Sequence, residues 1–140
     1  VSAALLALDT TAVAVTEVHR QVGPTGVDLT TTAVLTHAHG TATVTGSFDR
    51  PESQGITVRA PGLSVEFVGQ AFTAWHEECS LRVVQDGVER WERFAACDPY
   101  RVMVEAMSAR IQGVDAWVLP LAESAAVAAT LDAITGSPAT

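Results

Sequence analysis

The chain has 140 residues, 48% of them hydrophobic, and a formal net charge of -8. That length suits one domain with an apolar core of its own, and the apolar content argues against disorder. Nucleic acid and anionic membrane surfaces are disfavoured as partners because both select basic proteins, no apolar stretch is long enough to cross a bilayer, and a cytoplasmic protein is expected.

All 8 basic residues are arginine. Without lysine there is no Schiff base, no P-loop lysine and no lysine acid-base. Cys79 and Cys97 match no metal spacing and are expected as buried thiols.

Residues 3–8 suggest the last turns of a helix; with no basic flank, this segment makes a poor signal peptide. Residues 12–20 are rich in β-branched side chains and predict a strand. Gly23-Pro24-Thr25-Gly26 is a turn, and residues 28–37 predict a second strand. Over 41–48, Ala42, Val44 and Phe48 alternate with Thr41, Thr43, Thr45 and Ser47, so one face is buried and the other wet. Gly40 makes a hairpin of these two strands. Residues 49–55 form a polar loop.

Ile56, Val58 and Ala60 alternate in a fourth strand, Pro61-Gly62 turns the chain, and Leu63, Val65 and Phe67 alternate in a fifth. Residues 70–78 carry no clear period. Residues 81–84 and 88–94 flank an Asp86-Gly87 hairpin turn. Asp98 then caps a helix with Pro99 in its first position. Tyr100, Met103, Val104, Met107 and Ile111 form one stripe of that helix, which runs over about 99–112 and ends at Gly113. A last helix, about 121–135, carries Val127, Leu131 and Ile134 on one side and closes at Gly136 and Pro138.

Strands followed by helices predict an α+β fold: an open, mostly antiparallel β-sheet, about 12–95, with the two helices packed on one face of a single domain spanning 1–140.

Few residues offer chemistry. His37 and His39, two apart on a strand, share a face and lack a third ligand at fixed spacing. His76 with Glu77 and Glu78 is the one local imidazole–carboxylate cluster, with no nucleophile or oxyanion donor placed beside it, so a solvated loop is the plainer reading. Trp75 and Trp91 suit a core or an interface. Within 86–93, Glu89, Trp91 and Arg93 share one face and Arg90 and Glu92 the other, which predicts cross-strand ion pairs on a wet sheet face. His19 and Arg20 close the first strand and are placed to meet an anion. No Gly-x-Ser-x-Gly elbow and no Gly-x-Gly-x-x-Gly turn occurs. No catalytic, cofactor-binding or metal-ligating residue is assigned.

Val27-Asp28, Ala33-Val34-Leu35 and Gly40-Thr-Ala-Thr-Val44 resemble a strand pair of the glucose-fructose oxidoreductase / inositol dehydrogenase / MocA (Gfo/Idh/MocA) family, in its dihydrodipicolinate-reductase-like C-terminal domain. Ile56 to Leu63 resembles that domain's glycine hairpin, with Ala60-Pro61 where the family has Gly-Thr. Asp98-Pro99-Tyr100 with Ala109-Arg110-Ile111-Gln-Gly113, and Leu121-Ala-Glu-Ser-Ala with Leu131-Asp-Ala-Ile134, resemble its two closing helices. The resemblance spans essentially the whole chain. It implies the substrate-pocket and dimerisation domain of an NAD(P)-dependent oxidoreductase acting on a sugar or polyol, with homodimerisation through the sheet face. The family's catalytic lysine, in a Glu-Lys-Pro motif, has no counterpart in this chain, and its acidic residue and histidine would precede residue 1. NAD(P) would therefore be bound by a Rossmann domain of the parent protein, this chain having none. His19, Arg20 and His76 are the substrate-side candidates. The alternatives are a stand-alone binding or scaffold domain and a small enzyme built on His76.

Overall fold

A computed structural model describes residues 1–69, 71 and 77–136. The structure is α+β. Its order is α1 (Ser2–Ala7), β1 (Ala14–Val22), β2 (Asp28–His37), β3 (Gly40–Ser47), β4 (Thr57–Ala60), β5 (Leu63–Val68), β6 (Cys79–Gln85), β7 (Val88–Phe94), α2 (Pro99–Ile111) and α3 (Leu121–Gly136). Every strand pairing is antiparallel.

The strands form two sheets, β1-β2-β3 and β4-β5-β6-β7, where the alternation alone suggests one. Pairing lapses after β3. Pro51 has no N–H to give a ladder, and the polar residues beside it have no apolar face to bury. Two compact units result: Val1–Pro51 with Leu119–Thr140, and Glu52–Val118.

In the first unit, cross-strand rows set the core. Val18, Ala33 and Val44 stand opposite one another, as do Val15, Leu35 and Ala42. Val18, Ala33 and Leu35 bury with Ile134 of α3, and Val1 and Ala4 pack against them. Leu35 is wholly enclosed, so its truncation to alanine would cost about 3 kcal/mol. Helix α3 buries Thr130 and Ile134, whereas Leu131, expected on the inner side, is exposed. The buried Thr130 hydroxyl donates to the Ala126 carbonyl at 2.8 Å, which meets its hydrogen-bonding need inside the helix. Phe48, expected on the core face, lies beyond the end of β3 and is exposed.

Side chains of this sheet hold both helix ends. Arg20 donates from Nη2 to the Ile134 carbonyl in the last turn of α3, and its Nε lies 3.4 Å from Asp28 Oδ2. A cation there also complements the negative end of the helix dipole. The His39 ring nitrogen Nδ1 bonds the Leu8 carbonyl at the end of α1, at 2.9 Å. His39 can do so because it sits in the two-residue turn that joins β2 to β3, closed by the His37–Gly40 pair.

In the second unit, strict alternation sorts the sheet faces. Val58, Val65 and Val83 align across three strands, with Phe67 beside Leu81. The opposite face aligns Thr57, Glu66, Arg82 and Trp91. Asp86 and Gly87, at φ 49 and 80, make the tight turn whose twist suits a β-hairpin. Gly62, at φ 71, leaves no space for a Cβ, which would meet Asp86 Oδ1 at 2.6 Å. Asp98 caps α2 by accepting from the Tyr100 and Arg101 amides at 2.9 and 3.2 Å. Yet α2 buries none of its residues, although the sequence places both closing helices against a sheet. An N-cap orders the helix backbone; it supplies no neighbour for the apolar stripe.

Because Arg20 joins β1 to α3, the change Arg20→Met should lower the unfolding free energy in urea by roughly 1–3 kcal/mol. It should also raise the hydrogen-exchange rates of α3 amides ahead of those of β2.

Candidate functional site

His19 and Arg20 are neighbours on β1, so strand alternation sends them to opposite faces. Arg20 serves the core face and its helix. His19 is exposed on the other face, with Nε2 3.7 Å from Glu17 Oε2. The two do not converge on one ligand position. His76, the third substrate-side candidate, lies outside the described residues, as does Trp75. Of its cluster, Glu78 has Oε1 3.8 Å from Arg93 Nη1 on β7.

The wet face of the first sheet is built from rows of hydroxyls. Gln21, Thr30 and Ser47 align, then His19, Thr32 and Thr45. Thr32 and Thr45 bond each other at 3.0 Å. At one end, Asp49 gathers the row. Its Oδ1 accepts from Thr30 and Ser47, each at 2.7 Å, and its Oδ2 accepts from Gln21 at 3.1 Å. These hydroxyl bonds, Thr30's foremost, hold the Asp49 carboxyl below its ordinary pKa of 3.8. Thr30 is buried here, which its polar face did not predict. All of the carboxylate's partners belong to the sheet, so Asp49 acts as a clamp on the strand ends.

His37 and His39 do meet, edge to face, with ring centroids 4.7 Å apart. The contact arises from the turn and not from shared strand alternation. One ring is already engaged by the Leu8 carbonyl, and no group of three potential ligands forms among the described residues.

On the second sheet, Glu89 of β7 organises the polar face. It accepts from Arg82 Nη2 at 2.7 Å and from Trp91 Nε1 at 2.8 Å. Arg82 in turn lies 3.8 Å from Glu66. The Arg82 and Trp91 hydrogen bonds lower the Glu89 pKa below its ordinary value. On the other face Arg90 pairs with Glu92 at 3.0 Å. The charge alternation therefore becomes ion pairs: Arg82–Glu89 across the strands, as expected, and Arg90–Glu92 along β7 itself. The thiols depart from expectation: Cys79 is half-buried and Cys97 exposed.

The pairs formed by Asp49, Glu89, Arg90 and Glu78 are structural, and the positional logic of each is local. Strand alternation and the distribution of carboxylates could have found the Glu89 and Asp49 clusters in advance, since each lies within reach of hydroxyl or guanidinium donors on the same face. Comparison with family models, with curated proteins and with solved structures found no match.

Folding lowers the Asp49 pKa, so the stability it confers is present above about pH 4 and is lost as the pH falls through the lower folded value. Asp49→Ala should be less stable than the parent at neutral pH and should lose less on acidification. Urea unfolding of both proteins between about pH 7 and pH 2 measures this.

Proposed function

We propose that the chain is a protein-association domain that pairs with a second copy of itself. The observation that carries this reading is the apolar surface left open in the second unit. Along α2, the stripe of Tyr100, Met103, Val104, Met107 and Ile111 is exposed, from 49% at Met107 to 80% at Ile111. On β7, Val88, Trp91 and Phe94 are exposed as well. An amphipathic helix draws most of its stability from packing its apolar face, and contiguous exposed apolar surface rimmed by charge marks association sites. Methionine and aromatic side chains are the types that interfaces favour.

A second reading is supported by the capped start of α2 at Asp98-Pro99-Tyr100, one of the segments that carry the family resemblance. In it, the chain is the substrate-pocket and dimerisation domain of an NAD(P)-dependent oxidoreductase for a sugar or polyol in the cytoplasm. A Rossmann domain of the parent protein supplies the cofactor site, and His19 and His76 stand on the substrate side. Arg20 is a weaker substrate contact in this reading, since α3 already holds its guanidinium.

Sedimentation equilibrium should show a monomer–dimer equilibrium for the chain; a monomer at every concentration up to millimolar overturns the association reading. Titration calorimetry with NAD and with NADP should give no binding heat. Micromolar affinity for either would refute the division of labour in the second reading.

A further inference from the structure

We infer that the outer edge of β7 is where two copies join, antiparallel and about a two-fold axis at Trp91, so that two four-stranded sheets become one continuous sheet. This deepens the association reading and rests on it.

Strand β7 is the last in its sheet, so among the described strands nothing pairs with its outer side. All seven of its residues are exposed. An open edge offers a row of N–H and C=O groups to another strand, and native proteins usually blunt it with bulges, proline or repelling charge. β7 has neither bulge nor proline, and the charges it does carry, including Arg90 and Glu92 on the face of Val83 and Leu81, are balanced in sign, so they repel most strands but not a reversed copy of itself. Its register with β6 runs unbroken from Cys79–Phe94 to Gln85–Val88, and it contains no proline. By contrast, β1 has register shifts near Glu17 and Val22, and β4 is only four residues long. The β3 edge is unbroken but carries no charge and holds glycine at 40 and 46, so little on it would set a register.

The charges on β7 are arranged to attract a second copy. The strand reads Val88-Glu89-Arg90-Trp91-Glu92-Arg93-Phe94. Reversed against itself with Trp91 opposite Trp91, it places Glu89 across from Arg93 and Arg90 across from Glu92. Each pair occurs twice in the dimer, and Val88 falls opposite Phe94. A two-fold contact demands this self-complementarity, because each residue's partner must be met again in mirror order. Directly opposed charges of unlike sign stabilise antiparallel strands, and like charges oppose them. The strand carries two Glu and two Arg, so the edge itself is neutral although the whole chain is acidic.

The backbone selects the same register. Gln85 and Val88 flank a two-residue turn and form its closing pair. The closing pair of such a hairpin is hydrogen-bonded, and the ladder then alternates. The N–H and C=O groups of Glu89, Trp91 and Arg93 therefore point away from β6. With the axis at Trp91, Glu89 meets Arg93 and Trp91 meets Trp91, so every outward group faces an outward group. A shift by one residue sets outward groups against inward ones. A shift by two keeps the backbone match but sets Glu89 against Trp91 and forfeits its ion pair. The pairing also covers Val88, Trp91 and Phe94, which are otherwise open to water.

Arg90 and Glu92 offer the cleanest test, since they lie outside the Arg82–Glu89–Trp91 network and form an exposed pair of small stabilising worth. Arg90→Glu alone would set Glu against Glu twice across the axis; Glu92→Arg alone would set Arg against Arg twice. By sedimentation equilibrium, each variant alone should dimerise about tenfold more weakly than the parent protein. An equimolar mixture of the two should recover dimer as a heterodimer, because each Glu then faces an Arg. Recovery on mixing cannot come from two misfolded chains. Hydrogen exchange should show the Glu89, Trp91 and Arg93 amides protected in the parent dimer and in the mixture, and open in each variant alone. A parent dimer that both variants form undiminished would overturn the β7 pairing and leave the association reading standing. So would a mixture that stays monomeric. A parent protein that is monomeric throughout would overturn both.

Discussion

The closure of Ala33 and Leu35 on β2 is the constraint on which the first unit depends. A three-stranded sheet with one apolar face is not stable in water until something covers that face. Ile134 supplies part of the cover from the far end of the chain, and the N-terminal segment supplies more. Arg20 fixes the arrangement by reaching from the same face of β1 to the end of α3. With one face committed in this way, alternation turns Thr30 and Thr32 of β2 and Thr45 of β3 to the other, where Thr32 and Thr45 bond each other and Thr30 meets the Asp49 clamp. The polar rows thus follow from the apolar ones.

Among its described residues the second unit shows no comparable closure. Its sheet aligns Val58, Val65 and Val83, but Val83 is the one buried residue of these three. Its helix is well capped, yet none of its residues is buried and only Ala106 and Ala109 are half-buried. Capping and packing are separable interactions, and α2 is richer in the first. Open apolar surface and an open strand edge therefore occur in the same unit. The charges on that edge neutralise one another within the chain while remaining ordered so that a reversed copy fits them.

Much of the secondary structure was legible because its causes are local. β2 and β7 have the limits that alternation and turn residues suggest, and Asp98 caps α2 as its side-chain chemistry requires. Faces were less legible. Helical spacing puts Leu131 on one side with Ile134, yet the buried line on α3 runs through Thr130 and Ile134, where Arg20 also meets the last turn. His37 and His39 look like strand neighbours when the hairpin is set at Gly40, whereas the turn is Ala38-His39, closed by the His37–Gly40 pair. Of the candidate site residues, His19 and Arg20 share a strand end in sequence but are divided by the pleat.

The amino-acid sequence by itself determined the elements, their caps, the acidic surface and the charge order of β7, because each depends on residues a few positions apart. It also carried the α+β class, since strands precede helices. Only the tertiary structure decided that the strands divide between two sheets, that α3 helps to cover the first, that no residue of α2 is buried and that β7 ends the second among the described strands. Those outcomes depend on which apolar faces meet across long stretches of chain, a choice made by competition for burial that local spacing does not encode.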